Sequence, residues 1–176
     1  MVKEYIITMT AVNRVGILAA VTKAMAELGG DLREASQTVV RGFFTMIFSA
    51  EFPEDLSTDV IIDHLQDTCR PFGFEVSLKE VEQQHVAREE DGRLKHYSLR
   101  LGGDNQKGVL RELSSAISMR QIDIAGMHAV RARRGEGFEM VMKIAVPPEF
   151  DMNGFLSHLH EIGRPFNITA DVSDYS

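Results

Sequence analysis

The sequence predicts an α+β protein made of two copies of one strand-helix-strand-strand-helix-strand unit, and three observations carry that prediction. Tyr5, Gly16, Leu18 and Asp31 recur 92 residues later as Tyr97, Gly108, Leu110 and Asp123. His64-Leu65, followed by Arg70-Pro71-Phe72, recurs 94 residues later as His158-Leu159 and Arg164-Pro165-Phe166. In both copies the apolar period switches between two and 3.6 in the same order, as alternating strands and helices require. The two extra residues of the second copy are placed in Arg131-Ala132-Arg133-Arg134-Gly135-Glu136-Gly137, where the first has Val39-Val40-Arg41-Gly42. Lengthening a hairpin tip leaves a core undisturbed.

Taken in order, Tyr5 to Ala11 alternates as a strand, and Ile17, Val21, Ala24 and Leu28 share one helix face. Gly29-Gly30 stops that helix, because glycine is favoured just past a C-terminus. Leu32 to Arg41 and Phe43 to Phe52 form a hairpin about Gly42, with Phe44, Met46, Phe48, Ala50 and Phe52 on one side of the second strand. A helix from Thr58 carries Ile61, Leu65 and Cys69 and ends before Pro71, and Phe74 to Val81 is the last strand.

The second copy repeats each step. Tyr97, Leu99 and Leu101 point inward from its first strand; Val109, Leu113 and Ala116 from its first helix. Phe138, Met140, Met142, Ile144 and Val146 repeat the one-sided strand. Phe155, Leu159 and Ile162 face inward from a last helix that Asp151 can cap. One-sided strands imply a sheet covered by helices on one face. With right-handed crossovers the arrangement is a ferredoxin-like (βαββαβ) sandwich, antiparallel strands with two helices behind. The expected division is a first domain over 1–86, a polar linker over 87–95 and a second domain over 96–176.

A 44% hydrophobic share in 176 residues supplies ample core material. The net charge of −7 argues against direct binding to nucleic acid, which needs a basic surface to displace counterions. A lone cysteine, Cys69, builds neither an intrachain disulfide nor a thiolate cage. No leader-like segment opens the chain and no apolar run reaches membrane-spanning length, so the chain is expected to be soluble and cytoplasmic.

Catalytic and metal chemistry find no motif. The open face of the central strand would show Thr45, Ile47 and Ser49, or Glu139, Val141 and Lys143, without the aromatics on which RNA bases stack. His158 and His160 are two apart, a spacing that directs helical side chains away from a shared point, and His64 reads as a capping or half-buried contact. Ser114-Ser115 lies in a helix without a nucleophile elbow. Met46, Met140 and Met142 read as core fillers rather than a ligand box. Arg131, Arg133 and Arg134 read as a solvated hairpin tip, or else as a grip for an acidic partner or a phosphate. No enzyme activity, metal or cofactor is expected.

Two loops remain, Asn13-Arg14-Val15-Gly16 and Asp104-Asn105-Gln106-Lys107-Gly108, each polar, ending in glycine and opening a helix. On shape alone, glycine there either lets strand and helix pack closely or leaves backbone N–H groups free for an anion. Here the sequence resembles the ACT domain family, whose first βα turn reads roughly Asp-Arg-Pro-Gly before apolar residues. Asn13 and Val15 replace the Asp and Pro in the first copy; Asn105-Gln106-Lys107 replaces Asp-Arg-Pro in the second, with Asp104 one step early. Tandem copies with little else are similar to the glycine cleavage system transcriptional repressor group. The resemblance implies binding of amino acids or other small metabolites at domain interfaces beside this glycine, and edge-to-edge pairing of sheets.

On that basis a ligand carboxylate is expected at the N–H groups of Gly16, Ile17 and Leu18, or of Gly108, Val109 and Leu110. Arg14 belongs to the same loop, and Asn13, Asp104 or Asn105 would take the ligand's amino group. Asp31 and Asp123 either assist or are turn residues. The expected function is a non-enzymatic sensor of an amino acid or similar small metabolite, working as a homo-oligomer and through a protein partner in transcription or metabolism. The alternative is a ligand-free scaffold or regulatory subunit that associates through sheet edges.

Overall fold

The structure, a computed structural model, describes residues 2–81, 94–104, 108–131 and 137–175. The chain divides into two compact units, Met1–Arg88 and Glu89–Ser176. Nearly all of the segment 87–95 lies outside the described residues.

The first unit runs β1 (Val2–Val12), α1 (Ile17–Glu27), β2 (Asp31–Val40), β3 (Phe43–Pro53), α2 (Thr58–Thr68) and β4 (Glu75–Glu80). Its antiparallel sheet has the order β2-β3-β1-β4. Alternate residues Tyr5, Ile7, Met9 and Ala11 of β1, and Phe44 to Phe52 of β3, bury one face against Ile17, Val21, Ala24, Ile61, Leu65 and Cys69. Met25 is buried where Leu28 was expected. Leu28 is the C-cap, the next residue Gly29 turns left-handed at φ +66°, and Leu28 is left half-buried at the rim. α2 ends at Thr68, before Pro71 as expected, and Arg70–Phe72 then forms one 3-10 turn, which accepts proline in its first positions.

The second unit repeats this order as β5 (Lys95–Asp104), α3 (Val109–Met119), β6 (Asp123–Arg131), β7 (Gly137–Val146), α4 (Met152–Gly163) and β8 (Thr169–Asp174). Its sheet order is β6-β7-β5-β8. Leu99, Leu101, Met142, Ile144, Val109, Leu113, Phe155 and Leu159 form its core. Asp151 caps α4, accepting from the Gly154 N–H at 2.9 Å. Ile162, expected inward, is half-buried, and Gly163 holds the fully buried place against Ile168.

The repeat extends to an irregularity that the periodicity did not reveal. Register slips by one residue between Leu32 and Glu34 on β2, and between Ile124 and Gly126 on β6. Both are long outer strands, exposed along almost their whole length. On the open face Ser49 is buried to 9% exposure rather than displayed, being a small side chain between Ile6 and Glu34 on the flanking strands.

Candidate functional site

The two β-to-α corners share one backbone device. Gly16 (φ +96°, ψ −6°) and Gly108 (φ +92°, ψ −17°) are left-handed and directly precede 11-residue helices, with no side-chain cap to either among the described residues. The first helical bonds run from Ala20 N–H to Gly16 O and from Glu112 N–H to Gly108 O, each at 3.0 Å. The N–H groups of residues 17–19 and 109–111 therefore point past the end of their helices, at the positive end of the dipole. Ile17 and Val109 are buried and offer backbone alone, while Leu18 and Leu110 stand about half exposed.

The corners differ in what surrounds them. At the first, the Asn13 N–H donates to Gly42 O at 2.8 Å, and the Arg14 guanidinium donates to Pro71 O at 3.4 Å. At the second, Asp104 accepts from the Asn167 amide at 2.7 Å, so its carboxylate is already engaged. Asn105, with Gln106 and Lys107, lies outside the described residues.

Asp31 and Asp123 are not brought to these corners. Asp31 is level with Glu51 and, through it, with Glu4; Asp123 is level with Ala145 and His96. Each is eight strand steps, roughly 25 Å, from the corner of its own module. Asp31 instead approaches Arg33 at 3.5 Å, and Arg33 donates to Glu51 at 2.6 Å. The Glu51 bond and charge, with Asp31, raise the Arg33 guanidinium above its ordinary pKa.

A feature the motif reading did not find lies beside the second corner. Between α3 and β6 the second unit has a cleft of about 410 Å³. Leu110, Leu113 and Ile117 form its helix wall and Ile124 and Met127 its strand wall. Leu101, Met140 and Met142 form the floor, so these two methionines both fill the core and line a hollow. Arg111 and Ser114 are the polar lining residues. The signal for it was Leu110, Ile124 and Met127, apolar side chains off the core face of their elements; singly exposed apolar residues are too common to have stood out.

The remaining candidates resolve individually. His64 meets Glu27 at 3.0 Å, joining α2 to α1, and His160 accepts from the Ala170 N–H at 3.3 Å. The Ser114 hydroxyl donates to the Arg111 carbonyl. Burial pushes the Cys69 thiol above its ordinary pKa. Lys143 sits over the Tyr175 ring at 4.3 Å. Arg131 is exposed, and Arg133 and Arg134 lie outside the described residues. Among the described residues no group of three or more His, Cys, Asp or Glu converges, and no helix is long and apolar enough to cross a membrane.

The ACT domain model matches residues 5–64. A UPF0237 protein of Methanosarcina acetivorans is 36% identical over 77 residues, which are 43% of this chain and 84% of that relative. The chain belongs to the ACT domain family. Two solved structures share its tandem architecture. An unknown protein from Galdieria sulphuraria superposes with a TM-score of 0.80 at 15% identity, covering 100% of both chains. A protein described as a glycine cleavage system transcriptional repressor superposes with a TM-score of 0.70 at 12% identity, covering 99% of both. At such identities these likenesses show the fold. The family model lies inside the first ACT module, and the second follows it element by element.

Proposed function

We propose that this tandem ACT protein is a non-enzymatic regulator whose modules sense an amino acid or similar small carboxylate at the glycine corners. The observation that carries the reading is the pair of left-handed glycines opening uncapped helices, which leave three N–H donors in a position where a ligand carboxylate can be held. Asp104 would take a ligand ammonium only by sharing or giving up Asn167. Occupancy would act through a partner, in transcription or metabolism, by favouring the arrangement that binds the ligand more tightly.

Thermal denaturation with each of the twenty amino acids tests this, since a ligand that binds only the folded state raises the melting temperature. One or two should do so. Gly108→Asn or Gly16→Asn, which tolerates a left-handed backbone but puts bulk over the N–H groups, should remove the effect at that corner while the module still folds. The exposed outer strands β2 and β6 favour a second reading, a scaffold that pairs sheet edges. A stable oligomer with no response to any amino acid would select it.

A further inference from the structure

The α3–β6 cleft has the make-up of a small-molecule site, with apolar walls and few polar groups, and its volume of about 410 Å³ lies within the range of such sites. Its charged lining residue is a cation. Arg111 leans on Glu112 at 2.9 Å but keeps its side chain 83% exposed, leaving guanidinium donors for a second carboxylate. The opposite wall, Ile124 and Met127, is apolar, so among the described lining side chains none pairs an ammonium group. We infer that this cleft binds an aliphatic monocarboxylate, its chain between α3 and β6 and its head at Arg111. The inference goes beyond the sensor reading, because the cleft is a site apart from the Gly108 corner and takes a ligand class of its own. The first module carries Ala19 where the second has Arg111, and Phe48 where it has Met142, so the cation is missing and the floor is bulkier there.

Isothermal titration of the full chain with sodium acetate, hexanoate, octanoate and decanoate tests it. The expected result is one site per chain, silence from acetate, and affinity rising about fourfold per methylene until the cleft is full. Arg111→Ala, which imports the first module's residue at an exposed position, should weaken octanoate about threefold, and added salt should do the same. Met142→Phe should abolish binding; should it fold poorly, Ser114→Phe on the exposed side of α3 blocks the same mouth. Binding at many sites without a limit in chain length, or binding indifferent to these variants, would overturn the inference. So would silence from octanoate together with self-association that Met127→Glu abolishes, which would assign the cleft to a second copy. Amino acids that raise the melting temperature while octanoate stays silent would sink this inference and leave the sensor reading standing.

Discussion

An atom at the rim of the Phe72 ring lies 3.6 Å from the point where a β-carbon on Gly16 would stand, an ordinary contact distance, whereas among the described residues no atom lies within 4 Å of that point on Gly108. The two corners share a backbone and differ in their walls. Alanine at either position pays mainly for a positive φ, about 1 kcal/mol, and each module should lose roughly 4–8 °C in melting temperature. Leucine should separate them. Gly16→Leu sets its side chain against the Phe72 ring and should cost the first module more than Gly108→Leu costs the second, as calorimetry of the two variants would show.

The Asp104–Asn167 bond can be tested without disturbing the turn. Asn167 is left-handed at φ +52°, so Asn167→Gly keeps the backbone comfortable and removes only the amide. Because the pair is exposed, the stability loss should be about 1 kcal/mol or less. If Asp104 receives a ligand ammonium, freeing it should strengthen amino-acid binding at the second corner, and a titration showing weaker binding would mean that Asn167 itself touches the ligand.

Gly163 is buried against the side chain of Ile168, into which a β-carbon would run. The first module solves the same junction with Cys69 and Phe74. Gly163→Ala should therefore destabilise the second module by about 1–3 kcal/mol or more through overpacking. Urea denaturation should show the first module's transition unmoved.

Burial holds the Cys69 thiol above its ordinary pKa. A folded pKa above the unfolded one means that the native state binds this proton more tightly. The resulting stability is fully present below the unfolded pKa, about 8.5, and is lost as pH rises through the folded value. Urea midpoints of the wild type should therefore fall more steeply above about pH 9 than those of Cys69→Ala. The native thiol should also resist alkylation at pH 8 until the first module is unfolded.

Local chemistry was legible in the sequence and long-range placement was not. The one-sided strand Phe44–Phe52, the left-handed Gly29 and the Asp151 cap follow from period and residue type, because each depends on near neighbours. Gly16 and Gly108 were legible for the same reason. Of the two readings of Asp31 and Asp123, the structure favours the residue that opens a strand: β2 and β6 begin at them, and antiparallel pairing sets them at the far end of the sheet from the corners. The cleft left only three scattered apolar residues, Leu110, Ile124 and Met127, as its trace in the sequence. It needs α3, β6 and β7 to meet, and Arg111 and Ser114 lie in an ordinary helical pattern.

Each sheet also ends in a long strand, β2 or β6, that bonds to a neighbour on one side only. If both seams pair between chains, each chain is bivalent. Joining like to like about a twofold axis uses up a seam and caps the number of chains, whereas joining β2 of one chain to β6 of the next leaves a free seam after every addition. The one-residue slips at Arg33 and Ala125 interrupt both borders, and a kinked border is a poor template for indefinite growth.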